Sequence, residues 1–370
     1  MNSELKYLPS IYKNLPNKSI IIYNGYRLKT NYIINIMDMF LCKYLHINKE
    51  KIIINSELLK YIYGSIYSKY IAYLIDISFI YLYKNYSTGN HGKIYKLTDQ
   101  VKKDNIIFIK IDLPEKLKNK IKTKFELNTT NDIVKQKLIN DLYKVKLDFV
   151  NAKKWTDNIK NKNKKTAILM SIKKINNKNI YYTFDKYGRL HTNYTNLKKH
   201  IRENYLSINN CKLKELDITN SQPFFLYLLM KQNGFTDFNN FDSDVLNGII
   251  YDKIKESENI SRNEAKINVY SVLFGRNMNK TKWDKMFYNK YPEVFNWIKN
   301  YKNKYNNYKI IAQTLQQMEA DFIFNNVINK IILHNKNIPI ITIHDAILVP
   351  EKYYETCKNI FINELNYIVK

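Results

Sequence analysis

Residues 338–350 read IPIITIHDAILVP. Two apolar runs rich in β-branched residues flank a single His-Asp pair. A charge inside a buried run is costly unless a partner, a metal or a turn receives it. A hairpin meets that requirement: IPIITI and AILVP form two strands, and His344-Asp345 occupies the tip. On the plain reading the tip is a polar turn. On the chemical reading Asp345 is a carboxylate held rigidly at a strand turn. The stretches upstream bear on the choice.

In KELDITNSQPFFLYLLMKQNG, residues 214–234, a short strand ends at Asp217. Pro223 opens an apolar run that Gly234 closes, which predicts a helix over about 223–233. By itself Asp217 reads as a turn or capping residue. In SRNEAKINVYSVLFGRN, residues 261–277, Ser261 and Glu264 form a capping-box pattern that starts a helix. Arg262, Lys266, Tyr270 and Phe274 recur every four residues, so they share one inclined stripe of that helix. Two cations followed by a ring suit a nucleoside triphosphate, with phosphates on Arg and Lys and the ring against sugar or base. The competing reading is an amphipathic surface helix with snorkelling cations. In YGRLHTNYTNLKKHIR, residues 187–202, Gly188 allows a tight turn that presents the donor fork of Arg189.

In order, these stretches resemble the polymerase core of the family A DNA polymerases, the family of bacterial DNA polymerase I and the T7-like phage enzymes. Gly188, Arg189, Leu190, Asn196 and Leu197 match a Gly-Arg-Leu motif. Asp217 matches the aspartate of the first palm motif. Arg262, Lys266, Tyr270 and Gly275 match the fingers helix, and His344-Asp345 match the second palm motif. LQQMEADFIFNNVINK, residues 315–330, is a weaker match and makes Gln316 and Asp321 equivalents of family residues. The resemblance spans residues 181–355. The Asn-Ser-Gln-Pro after Asp217 also resembles compact polymerases of virophages, phages and mobile elements.

The resemblance implies a right-hand α+β fold: an antiparallel palm sheet, helical fingers and a reduced thumb. It implies primer extension with dNTPs on primer-template DNA. Asp217, Asp345 and the carbonyl of Ile218 would hold two Mg²⁺ ions, with Mn²⁺ as the alternative. Lys266 and Arg262 would hold the triphosphate, Lys266 also acting on the leaving pyrophosphate. Tyr270 would pack near the incoming nucleotide. Arg189, Asn196, Gln316 and His344 would contact DNA. Gln222 replaces the Glu that excludes a ribose 2′-hydroxyl in most members, and Phe274 replaces the Tyr that supports it. Ala346 replaces the Glu that usually follows His-Asp.

Residues 56–99 order as helix, helix and β-hairpin, with Ser56 and Ser65 as expected caps. That order fits a winged helix or a plain α/β packing unit. In residues 132–147, Ile133, Leu138, Leu142 and Val145 fall at roughly helical spacing. Residues 151–180 hold nine lysines and one aspartate, expected to form a solvated, mobile loop near a phosphate-gripping tip. The expected organisation is an N-terminal module over 1–110, a small α/β unit of winged-helix type or not. A lysine-rich thumb-like region over 111–180 and palm plus fingers over 181–370 follow. No Asp-x-Glu pair of the exonuclease kind precedes the core, so no proofreading is expected.

The chain has 370 residues and a formal net charge of +27, from 60 Lys plus Arg against 33 Asp plus Glu. Such an excess favours polyanionic partners, nucleic acid first and an acidic membrane surface second. Three dispersed cysteines give neither a zinc spacing nor a disulfide framework. The first residues lack a signal-peptide core, and no apolar run is long enough to span a bilayer. A soluble intracellular protein is expected, with an accessory replication protein as a further partner through residues 1–110. The alternative functions are a single-subunit RNA polymerase or primase, which shares the palm carboxylates, and a non-catalytic DNA-binding protein.

Overall fold

The computed structural model describes residues 4–16, 19–47, 50–87, 92–126, 132–277 and 281–369. The fold is α+β with antiparallel ladders. Two compact units interleave along the sequence. The first unit comprises residues 1–132, 142–183 and 192–210, and the second comprises 133–141, 184–191 and 211–370.

In the first unit, α1 (Thr30–Ile47) buries Ile33, Ile34, Ile36, Met37, Phe40 and Leu41. Tyr7 lies fully buried; its hydroxyl donates to the Met170 carbonyl at 2.6 Å and its backbone N–H to Asp38 at 3.1 Å. After α1 come β1 (Ile52–Ile53), α2 (Ser56–Tyr63), α3 (Tyr67–Asp76), β2 (Ile80–Lys84) and β3 (Ile94–Leu97). The sheet order is β1–β3–β2, antiparallel throughout, so this module is α+β and not the α/β unit expected. The cap of α2 is Asn55, whose side chain accepts from the N–H groups of Glu57 and Leu58. Ser56 is therefore the first helical residue. α3 enters through Ile66 without a side-chain cap, so neither expected serine caps its helix. Positions 88–91 of the expected hairpin turn lie outside the described residues.

Residues 151–180 depart most from expectation. They belong to two helices, Phe149–Asp157 and Lys162–Asn176, capped by Asp148 and Asn161. Ile168, Ile172 and Ile175 are buried on one face. Their i, i+4, i+7 spacing sets the buried face, and two of the lysines pack inward as well: Lys174 lies 3.4 Å from Cys42 Sγ and over the buried Tyr7 ring, and Lys173 lies over the Phe108 ring. Ile133 also departs: it is 79% exposed, while Leu138, Leu142 and Val145 are buried.

In the second unit, β4 (Cys211–Asp217) leads through Asn220 into α4 (Ser221–Gln232). Asn220 adopts the left-handed conformation, φ 56°. The helix therefore starts before Pro223, which still falls where the first turn's N–H groups have no helical acceptor. The capping box of Ser261 and Glu264 opens α5 (Arg262–Phe274). Gly275 ends it where a Cβ would lie 2.3 Å from the Ser271 carbonyl oxygen. α6 (Ile310–Asp321) continues through a π-helical stretch, Phe322–Ile328, into Asn329–His334. β5 (Ile341–Ile343) and β6 (Ala346–Pro350) form the expected hairpin, followed by α7 (Tyr354–Val369). β6 lies between β5 and β4, and all five of its residues are buried.

A buried clamp fixes the approach to this hairpin. Asp141, fully buried, accepts from the Ile340 N–H at 3.0 Å and from the Lys137 ammonium at 2.5 Å. Lys137 also donates to the Ile338 carbonyl at 2.7 Å. Lys137→Ala leaves a carboxylate in the core without its cation, so we expect a loss of roughly 3 kcal/mol. Urea unfolding of the full chain measures it; a change within about 0.5 kcal/mol, the range of ordinary surface substitutions, refutes the clamp.

Candidate active site

The ladder between β4 and β6 sets the positions of two carboxylates. Asp217 is the last residue of β4 and pairs with Ala346, the residue after Asp345. Ile343 pairs with the same Ala346 across the hairpin. Asp217 thus lies across the ladder from the residue that follows Asp345, with Asp217 exposed and Asp345 half-buried. Between Ile343 and Ala346 the turn has only two residues, and His344 sits at φ 55°. A positive φ at the first loop position is where hairpins favour glycine. At a non-glycine residue it costs about 1–2 kcal/mol. The His344 ring packs edge-on against His191, centroids 5.7 Å apart, and His191 Nε2 lies 2.9 Å from Asp185.

One residue of the α5 stripe, Tyr270, comes within electrostatic range of the same carboxylates. Lys266 lies 5.4 Å from the Tyr270 ring centroid, and the Tyr270 and Phe274 rings are 5.4 Å apart. Arg262 pairs with Asp252 at 3.2 Å and lies over the Tyr251 ring. Burial raises the Tyr270 hydroxyl pKa, a hydrogen bond with Tyr251 opposes the rise, and the charges of Asp345, Glu319 and Asp217 add to it. Tyr270 therefore feels three carboxylates at once. Arg262 and Lys266 remain exposed at the start of the stripe.

The third carboxylate is one that the sequence did not single out. Glu319, on α6, is 2% exposed. Its Oε1 accepts from Arg189 Nη1 at 3.2 Å and its Oε2 from Gln222 Nε2 at 2.7 Å. Gln222 is buried, and its Oε1 has no hydrogen-bond partner. Glu319 thus stands against the buried Gln222. Its spacing of four residues from Leu315 on one side and Ile323 on the other, both fully buried, was the available signal. Arg189 follows the expected turn, Gly188 at φ 83°, but its fork turns inward onto Glu319 instead of outward.

Gln316 is half-buried on α6, and Asp321 accepts from Gln317 and Asn325. Ile218 is buried immediately after β4. Asn196 is exposed and belongs to the first unit. Among the described residues, no three or more His, Cys, Asp or Glu side chains form a group suited to a metal ion. No described helix is long and apolar enough to cross a membrane. No protein-family model matches the chain, and no curated protein matches it.

Burial raises the Glu319 carboxyl to about 7, and repulsion from Asp345 adds to this against the opposing pull of Arg189 and Gln222. An unfolded glutamate loses its proton near pH 4.3. Between that value and pH 7 the folded chain holds a proton that the unfolded chain has released. Stability therefore falls as pH rises through this window, by roughly 3 kcal/mol in all. Glu319→Gln removes this contribution. Denaturant titrations at pH 5 and pH 7.5, with a chelator present, should show the wild type losing more stability than the variant. Equal losses refute the assignment.

Proposed function

We propose that the chain is a template-directed DNA polymerase with a right-hand architecture, in which β4, β6 and β5 form the palm and α5 belongs to the fingers. The observation that carries this reading is the register of the ladder, in which Asp217, the last residue of β4, pairs with Ala346, the residue after Asp345 in the hairpin turn. The cationic stripe of α5, whose Tyr270 senses both carboxylates, supports it. The family resemblance supplies the chemistry.

The donor set fits Mg²⁺. Two carboxylates and the Ile218 carbonyl are too few for a closed cage, and Mg²⁺ keeps waters and substrate phosphates in its shell. Asp217, Asp345 and the Ile218 carbonyl would hold two such ions, which would supply activation of the attacking oxygen and neutralisation of the leaving one. The protein groups do the rest. Arg262 and Lys266 grip the triphosphate of the incoming dNTP. The primer 3′-hydroxyl gives its proton to water, its oxygen bonds to the α-phosphorus, and the α–β phosphoanhydride breaks with pyrophosphate as the leaving group. Lys266 gives a proton to the departing pyrophosphate. Tyr270 packs on the nucleotide, and Gln222 with Glu319 forms the wall beside it.

Primer extension on a primed template with Mg²⁺ and dNTPs tests the proposal. Asp217→Ala and Asp345→Ala should each fall to background. Lys266→Ala should lose roughly 10²-fold in kcat through loss of the general acid. Full extension by either aspartate variant overturns the two-carboxylate assignment. Parallel reactions with rNTPs distinguish an RNA polymerase or primase. DNA binding without extension under any divalent metal identifies a non-catalytic protein.

A further inference from the structure

We propose that the outer face of the sheet β1–β3–β2, in the first unit, is a docking platform for single-stranded nucleic acid. The inference stands on this module alone and does not depend on the polymerase reading.

The inner face of the sheet is committed to the core: Ile52, Ile80, Tyr95 and Leu97 are buried. The outer face carries rings. Tyr81 and Tyr83 are 40% and 41% exposed, and Tyr86, two residues past the end of β2, is 62% exposed. A bulge helps to set them. Leu82 pairs with Tyr95 and Lys84 with Ile94, which leaves Tyr83 as the extra residue. Bulges re-aim side chains, and here the Tyr83 ring meets the ammonium of Lys96 at 4.1 Å, with Lys51 at 5.7 Å. Lys96 pairs across the strands with Tyr81. Rings and cations therefore alternate on one surface.

Its charge is cationic. Lys84 and Lys93 are exposed on the same hairpin, and Lys102 is near enough to Tyr81 to feel its hydroxyl. Two carboxylates oppose these five lysines: Glu50 pairs with Lys96 at 3.5 Å, and Asp99 with Lys102 at 3.2 Å. Lysines interleaved with exposed rings suit a strand whose bases are unpaired, Tyr81 and Tyr86 stacking on bases and the ammonium groups, those over Tyr83 included, meeting phosphates.

The two competing occupants fit less well. A duplex is read by a helix laid in its major groove. The candidate helix, α3, is covered by the hairpin of Ile20–Tyr23 and Tyr26–Lys29. Tyr23 packs on Tyr73 and bonds Asp76, Lys69 lies over Tyr26, and the Lys29 N–H donates to Tyr70. The exposed positions that remain on α3, Ser68, Ile75 and Asp76, bear no cation. A second copy of the chain could add a strand at the edge strand β2, but a bulge blunts strand addition.

The test uses the full chain, a fluorescein-labelled oligothymidylate and the matching duplex, read by anisotropy across a salt series. Combined Tyr81→Ala and Tyr86→Ala should weaken oligothymidylate binding at least tenfold and leave duplex binding within about twofold. Tyr81→Phe with Tyr86→Phe should bind like wild type, since stacking needs the ring and not the hydroxyl. Lys51→Gln with Lys96→Gln should flatten the salt dependence. A 5-iododeoxyuridine oligonucleotide should photocrosslink to Tyr81, Tyr83 or Tyr86. The proposal is overturned by unchanged affinity in the alanine variant, by equal loss for duplex and single strand, or by crosslinks confined to other residues. A dimer that the alanine variant dissociates, with oligonucleotide binding intact, assigns the face to self-association and also overturns it.

Discussion

The backbone ladder between Cys211–Asp217 and Ala346–Pro350 is the constraint on which the candidate site depends. It joins segments more than a hundred residues apart and allows no slack. A shift of one residue would turn every side chain of β6 to the opposite face, and all five are buried. The apolar arms therefore fix the register, and the register fixes the carboxylates. The fully buried Asp141, which holds the Ile340 N–H, secures the chain before it enters β5.

Around that ladder the unit tolerates groups that a core normally rejects. His344 accepts a left-handed backbone so that a two-residue turn can close beside Asp345. Glu319 is buried with Arg189 and Gln222 as its donors, under the field of Asp345. Charge repulsion from Asp345 and burial work together to keep its proton, while Arg189 and Gln222 work to remove it. Such opposed pressures are characteristic of functional sites more than of packing.

Much of this site was legible locally. Caps and tight turns are written in adjacent residues, so Ser261 with Glu264, Gly188 before Arg189, and the His344-Asp345 tip were readable in place. Helical periodicity was readable too, yet at residues 162–176 the lysines drew attention away from Ile168, Ile172 and Ile175. The serines expected as caps gave way to Asn55 and to an uncapped start, because a side-chain cap one residue earlier satisfies the same N–H groups. The bulge at Tyr83 left no trace in the sequence, since pairing partners are chosen across strands.

The sequence by itself determined the elements and their chemistry: an aspartate closing one strand, another at a hairpin tip, and a stripe of two cations and two rings on one helix. Each follows from spacing along a single segment. Only the tertiary structure decided which side chains meet. It paired Asp217 with Ala346, turned Arg189 inward, and brought Glu319 to Gln222 across 97 residues. Burial and charge coupling depend on neighbours in space, and no local pattern specifies those.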